Sequence, residues 1–356
     1  MKAITVGSAT IDIIASIRSE DIERMTLHNV TESFLLLEPG HKVDAESIST
    51  YIGGGAVNAA VSLARQGFDV SALVKVGNDL NAKKLMERFA EEGISSDLVR
   101  HHDQESTAVS VLISSHDRNA AIFTHRGANG FLFEDDIPVS AFEDARLVYV
   151  TNLSNDSADR FPSIVRNAKS AGAFVAVNPG IRQLTRKTEA LFDNIEHIDL
   201  FQCNFDEARA LIPALVSRTG WEKKDSSRQS DQEPDSIPVL EIEGFKLKIE
   251  DFAQRLHALG SDIVGITNGG DGAYISVVRD GDISNATLHV QPVYDTTVKG
   301  TVGAGDAFAS TLAGCVSRGM DIASSAQFAA RNAASVVAAL DAQSGLMTLA
   351  ELEQRV

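Results

Sequence analysis

Beyond residue 140 the chain alternates short apolar runs with helical patterns, and that alternation limits the fold more than any other feature. Leu147–Thr151 reads as strand, Ser157–Ser170 as helix and Ala173–Val177 as strand. Asp199–Cys203 reads as strand, Asn204–Leu211 and Phe252–Leu259 as helices, and Ile263–Thr267 as strand. Apolar strands separated by helices of this length belong to βαβ units, so a doubly wound, mostly parallel α/β sheet flanked by helices is expected. Ala3–Val6 and Val70–Val76 supply further strands. A helix runs from Ala56 to a stop at Gly67, and Leu80–Glu91 is an amphipathic helix with Gly93 at its end. Ala304–Val316 and Ile322–Leu340 read as Ala-rich helices. Several strands break the alternation: Ile11–Ile17, Ser33–Leu37, Ser47–Ile52, and a hairpin of Thr107–Ile113 with Ala120–Thr124 around Ser115–Asn119. They are expected to form a second, smaller sheet projecting from one domain that spans 1–356. Residues 217–238 are polar and almost free of apolar side chains, which predicts a surface insertion.

Charge and composition narrow the function classes. With 32 basic against 49 acidic residues the net charge is −17, which repels polyphosphate and argues against a nucleic-acid partner. Aromatic residues are 6% of the chain, too few for a base-stacking surface. The 356 residues bury a large core without staples, and Cys203 and Cys315 are expected reduced and buried, which suits the cytoplasm. Thr5, Ser8, Thr10 and Asp12 interrupt the apolar opening run, so neither a signal segment nor a membrane span is expected there. No His or Cys spacing fits a structural zinc, and no Gly-x-Ser-x-Gly hydrolase element occurs.

The strongest local signal is Gly300-Thr301-Val302-Gly303-Ala304-Gly305-Asp306-Ala307-Phe308, entering an Ala-rich helix. Glycine in a helix's first turn costs about 1 kcal/mol relative to alanine, so Gly303 and Gly305 need a reason. Close approach of an anion to backbone N–H groups at a helix start is one. Asp306 would then sit beside a bound phosphate and take a proton from an attacking hydroxyl; the plain alternative is that it complements its helix dipole. Neither a Walker loop nor Gly-x-Gly-x-x-Gly is present, because Phe308 and Asn58 occupy the third glycine's place.

A second cluster, Gly53-Gly54-Gly55-Ala56-Val57-Asn58, leaves a strand and enters a helix. Asn58 offers a donor and an acceptor to a polyol, or is an exposed residue after a flexible turn. Asp12 stands in apolar company, where a carboxylate needs a ligand unless the strand is an exposed edge. Asn204 and Glu207 have the spacing of a capping box, which is compatible with orienting water on Mg²⁺. Thr267-Asn268-Gly269-Gly270-Asp271-Gly272 joins two strands, as a hairpin turn or as a glycine loop passing under a nucleotide.

Taken together, these motifs resemble the ribokinase-like (PfkB) carbohydrate kinase family over nearly the whole chain and in the family's order. Gly7-x4-Asp12 resembles its early substrate-binding element, Gly53-Gly54 with Asn58 its Gly-Gly signature, and Asn204-x-x-Glu207 its Asn-x-x-Glu motif. Gly303-Ala304-Gly305-Asp306 is similar to its anion hole and catalytic base. Gly77-Asn78-Asp79, Ser106-Thr107 and His125-Arg126-Gly127-Ala128-Asn129 sit where the family has related elements. One departure stands out: Gly300-Thr301-Val302 replaces the family's Asp-Thr-Thr. A monovalent-cation site thereby lacks an acid, although Ala342-Gln343-Ser344-Gly345 resembles its other half.

The resemblance implies a β-sheet lid, here from about 12–51 and 105–126, closing over the acceptor and supporting a homodimer. It implies ATP and Mg²⁺ as cofactors and phosphorylation of a primary hydroxyl on a small sugar. Asp12, Gly53, Gly54, Asn58 and Asn129 would bind the acceptor. Asp306 would be the general base, with Gly303, Ala304 and Gly305 in the anion hole. Asn204, Glu207, Thr267, Gly269, Gly272 and Asn332 would bind the nucleotide, with Glu207 reaching Mg²⁺ through water. A nucleoside acceptor is the alternative, with Phe34, Tyr51 and Phe123 as the lid aromatics; a non-catalytic ligand-binding protein on the same fold is the other.

Overall fold

In the computed structural model, which describes residues 1–17, 23–26, 33–36, 42–115, 120–220, 237–242, 244–279 and 281–354, the alternating half folds as its pattern dictates. In chain order the strands are β1 (Lys2–Gly7), β2 (Thr10–Ile17), β3 (Glu23–Thr26), β4 (Ser33–Leu36), β5 (Ala45–Gly53), β6 (Asp69–Gly77), β7 (Arg100–His102), β8 (Ala108–Ser115) and β9 (Ala120–His125). They continue as β10 (Ala145–Val150), β11 (Phe174–Val177), β12 (Leu200–Asn204), β13 (Val239–Ile242), β14 (Phe245–Lys248), β15 (Ile263–Thr267), β16 (Ala273–Arg279) and β17 (Asp282–Gln291). The helices are α1 (Gly55–Arg65), α2 (Leu80–Glu91), α3 (Phe161–Ser170), α4 (Ile181–Arg186), α5 (Thr188–Phe192), α6 (Phe205–Thr219), α7 (Ile249–Leu259), α8 (Ala304–Ser317), α9 (Ile322–Val337) and α10 (Leu349–Gln354).

The central sheet has the order β17-β16-β15-β12-β11-β10-β1-β6-β7, parallel from β15 to β7 with β16 and β17 antiparallel at one edge. Its inner strands, from β15 to β6, are buried on both faces, and successive side chains divide between two cores. Ile4, Val6, Val148, Val150, Val175 and Phe201 pack under α3, α6 and α7. Ala3, Val70, Ala72, Leu147, Ala176 and Leu200 pack under α1, α8 and α9. Residues Ala56 to Leu63 of α1 are all buried, so its small side chains let α8 pack closely against it. The strand order reverses between β1 and β10, and ligands of open α/β sheets bind in the crevice at such a reversal.

The strands outside the alternation form the expected smaller sheet, in the order β5-β2-β8-β9. Asp79, the N-cap of α2, joins this lid to the body: it accepts the Thr107 backbone N–H (2.8 Å) and hydroxyl (2.8 Å). Ser33–Leu37 departs from expectation, since β4 pairs with β3 in a separate hairpin. The Ser115–Asn119 turn falls mostly outside the described residues, as do the side chain of Phe34 and residues 221–236 of the expected insertion. Its first residues are helical, because α6 continues past Leu211 to Thr219 while Ile212, Leu215 and Val216 keep an apolar face buried.

Candidate active site

Ser8, at the carboxyl end of β1, donates its hydroxyl to the Asn152 side chain at the end of β10 (3.0 Å), so the switch point is closed by two side chains. The same hydroxyl accepts the Gly55 N–H (3.0 Å), while the Ser8 carbonyl accepts the Ala56 N–H (3.2 Å). Gly54 has a φ of 96° and lies so close to the Ser8 carbonyl that a side chain there would collide with it. A Cβ at Gly53 would overlap the Asp12 carboxylate, which explains why glycine precedes α1.

Asp12 projects from the lid strand β2 and bonds the Ser110 side chain across the sheet. Burial pushes its carboxyl up to about 6; the Ser110 hydrogen bond opposes this and the Asp306 charge adds to it. The lid therefore brings one carboxylate toward another from the body. Asp306 lies in the first turn of α8, which Gly303 enters at a φ of 82°. Burial raises the Asp306 carboxyl above the usual range, against a hydrogen bond donated by Asn58 Nδ2 (2.8 Å). The chain of donors continues outward: Gln343 Nε2 donates to Asn58 Oδ1 (3.1 Å), and Arg88 Nε donates to Gln343 Oε1 (3.1 Å). Arg88 is held in turn by Glu92 at 2.9 Å.

On the other side of the α8 N-terminus opens a cleft of about 490 Å³, lined by Asn204, Thr267, Gly269, Gly272, Ala304, Gly305 and the apolar Pro292, Val293 and Phe308. That volume lies within the range of about 300–1,000 Å³ for small-molecule sites. Thr267–Gly272 forms the β15–β16 hairpin turn, as one sequence reading expects, and it also walls this cleft. Asn204 and Glu207 cap α6 reciprocally, Glu207 N–H to Asn204 Oδ1 at 2.8 Å and Asn204 N–H to Glu207 Oε2 at 2.9 Å. Burial raises the Glu207 carboxyl, its bond from Asn204 opposes the rise, and the charges of Asp306 and Asp206 add to it. Among the described residues no cluster of three metal-ligating side chains exists.

Three sequence-derived site residues stand elsewhere or do something else. Asn332 is fully buried outside the cleft, donating to Thr311 Oγ1 (2.8 Å) and accepting from Met347 N–H (2.9 Å). The face of α9 that lines the cleft is Ala330, Ala333, Ala334 and Val337, a helical repeat that excludes position 332. Asn129 spends its amide on the Ala9 backbone, accepting the N–H (3.0 Å) and donating to the carbonyl (3.0 Å), and so fixes the start of β2. Asn58 is turned toward Asp306 and Gln343. Sequence spacing gave no signal for Ser8 with Asn152, and the 342–345 segment reaches Asp306 through Gln343 and Asn58. Gly300 packs against the Ala339 and Leu340 carbonyls without contributing an acid.

A switched α/β sheet, a β lid carrying an acid, and a glycine-led helix start between a lid and a nucleotide-sized cleft define a small-molecule phosphotransferase. The chain matches the pfkB family of carbohydrate kinases over residues 19–349 and belongs to it; it is an enzyme that phosphorylates a sugar hydroxyl. Among curated proteins it is 26% identical over 258 residues to the ATP-dependent ribose-1-phosphate kinase of Halopiger xanaduensis, covering 72% of this chain and 71% of that one. It is 22% identical over 319 residues to the 5-dehydro-2-deoxygluconokinase of Shouchella clausii, covering 88% of each. Its fold matches Arabidopsis thaliana ribokinase complexed with ribose and ATP at a TM-score of 0.72 and 20% identity, over 99% of this chain and 97% of that one. The Methanocaldococcus jannaschii nucleoside kinase matches at 0.70 and 20% identity, over 100% and 98%.

Proposed function

We propose that the protein transfers the γ-phosphoryl group of ATP to a primary hydroxyl of a small sugar. The observation that carries this reading is the position of Asp306, oriented by Asn58 at 2.8 Å, between the lid carboxylate Asp12 and the glycine-lined cleft. A sugar held against Asp12 and Gly54 presents its hydroxyl to Asp306, which takes the proton as the oxygen attacks. The N–H groups of Gly305 and Asp306 in the first turn of α8 stabilise charge developing on the phosphoryl oxygens, and the Ala304 N–H, which donates to the Thr301 carbonyl (3.4 Å), joins them only by leaving that bond; such donors are each worth on the order of 10²–10³ in rate. Thr267, Gly269 and Gly272 form the nucleotide side. Glu207 would hold Mg²⁺ through water beside the phosphates, and the ion would supply charge neutralisation there. Closure of the lid excludes the water that would otherwise accept the phosphoryl group.

The test is ADP release over a panel of sugars and nucleosides with wild type and Asp306→Asn. The variant is expected to lose at least about 10³ of kcat while ATP still binds by calorimetry. Near-normal turnover by the variant removes Asp306 from the role of base.

We also propose that the lid joins two copies of the chain. Ile13, Ala15, Ile48, Val111, Ile113 and Phe123 fall on one face of the lid by register, with Ile48 68% and Phe123 56% exposed.

A further inference from the structure

Two amides stand between the Arg88 guanidinium and the Asp306 carboxylate, and the hydrogen bonds that join them all run one way. Arg88 Nε donates to Gln343 Oε1 (3.1 Å), Gln343 Nε2 to Asn58 Oδ1 (3.1 Å), and Asn58 Nδ2 to Asp306 Oδ2 (2.8 Å). An amide has a donor at one end and an acceptor at the other, so each of the two could face either way. The far end of the chain decides. A guanidinium has no acceptor, so Gln343 turns its oxygen to Arg88 and its NH₂ inward. Asn58 then turns its own oxygen to Gln343 and its NH₂ to Asp306. Among the described residues no other hydrogen bond reaches the Asp306 carboxylate.

The middle of the chain is gripped at every polar group. The Gln343 N–H donates to Asp341 Oδ1 (2.8 Å), and its carbonyl accepts from Arg65 Nη1 (3.0 Å) and from the Leu346 N–H (3.0 Å). Arg65 stands two turns beyond Asn58 on the same face of α1, so one helix carries both the amide and a clamp on the segment that aims it. Glu92 Oε1 joins the Arg65 and Arg88 guanidiniums, at 2.7 and 2.9 Å. Asn58 and Gln343 are 4% and 3% exposed, so water is a poor substitute for either donor. Bonds linked in series polarise one another where water is excluded, and a positive far end strengthens the donation to Asp306. The charges of Asp12 on β2 and Glu207 on α6 act against ionisation of Asp306, while burial and the Asp306 charge keep the Tyr149 hydroxyl on β10 protonated. We propose that Gln343 and Arg88 are positioning residues: they fix the Asn58 amide with its NH₂ toward Asp306, and so hold that carboxylate ionised and aimed at the acceptor hydroxyl. The word acceptor rests on the kinase reading above; the direction of the relay does not.

The experiment uses MgATP with the sugar or nucleoside of the panel above that releases most ADP. Gln343→Leu is expected to lose at least about tenfold in kcat, with both KM values within about twofold of wild type. The acidic limb of its kcat–pH profile moves to higher pH, because a lost donor favours the protonated carboxyl. Gln343→Glu keeps the shape and the Arg88 partner but cannot donate when ionised, and is expected to lose as much. Arg88→Met shows a smaller loss in the same direction, and Arg88→Lys, still a donor without an acceptor, recovers part of it. In an Asn58→Ala background, Gln343→Leu is expected to cost less than about twofold more, since it acts through Asn58. Losses that multiply in the double variant overturn the proposal, as do Gln343 variants that melt lower while kcat and the acidic limb stay in place. Titration of the Asp306 carboxyl by ¹³C NMR, assigned with Asp306→Asn, needs no turnover. Its midpoint is expected to rise in Gln343→Leu and Gln343→Glu, and an unchanged midpoint in both overturns the relay. A wild type that releases no ADP with any acceptor, yet shows that rise, counts against the kinase reading alone.

Discussion

Asp12 is a carboxylate held in unfavourable surroundings, and its thermodynamics follow from that. Its folded-state value of about 6 lies above the ordinary aspartate range, so the native state binds more protons than the unfolded chain between about pH 4 and 6. Stability contributed by this group is therefore present at low pH and falls as pH rises through that window. A rise of about two units corresponds to roughly 3 kcal/mol. Asp12→Asn is expected to stabilise the protein by up to about that amount at pH 8 and by little at pH 4, read from urea unfolding at both values; a difference that does not change with pH would rule this out. At this scale the sequence showed which residue types gather but not what they touch. Asp12 and Asp306 were legible because a carboxylate among apolar residues and a carboxylate among glycines both need a reason. Asn58 was legible as important, but its partners lie at positions 306 and 343, and no local spacing carries that information. Asn129 and Asn332 read as ligand contacts, yet buried asparagine amides must be satisfied wherever they lie, and these two are satisfied by the protein.

Two glycines separated by one residue do different work in the loop that enters α8. Gly303 has a left-handed φ, and a side chain there would collide with Ala342. Gly305 is helical, and no atom stands within 4 Å of where its Cβ would be. Gly303→Ala is accordingly expected to destabilise by at least about 1–2 kcal/mol. Gly305→Ala is expected to leave thermal stability unchanged or slightly raised, since alanine favours helix by about 1 kcal/mol, while the KM for ATP rises at least tenfold. Melting curves and initial rates on the two variants check this; a Gly305→Ala enzyme with normal ATP affinity would take the phosphates away from this helix start. Elements with strong periodicity were legible, as Leu80–Glu91 shows by coinciding with α2. The short α4 and α5 escaped because Lys187 parts them before either completes two turns, and β13 and β14 because four-residue strands carry little alternation.

For the whole molecule, the division into a switched sheet and a lid was readable from where the strand–helix alternation fails, and the lid's dependence on the body was not. Its apolar outer face makes assembly the natural measurement. Phe123→Glu is expected to convert a dimer to a monomer by analytical ultracentrifugation, without loss of the secondary structure seen by circular dichroism; a wild-type monomer at micromolar concentration would leave that face without a second copy.

The link from Gln343 through Asn58 to Asp306 also has a consequence in time. The glycine cluster before Asn58 leaves the ribosome early and Asp306 late, and the side chain that clamps them together follows both. A nascent chain that ends before Gln343 lacks the donor that holds the Asn58 amide in place beside Asp306. Ala342, Leu346, Met347 and Leu352 are buried and Arg65 donates to the Gln343 and Leu346 carbonyls, so the last residues to be translated complete the packing and the alignment of Asp306 together.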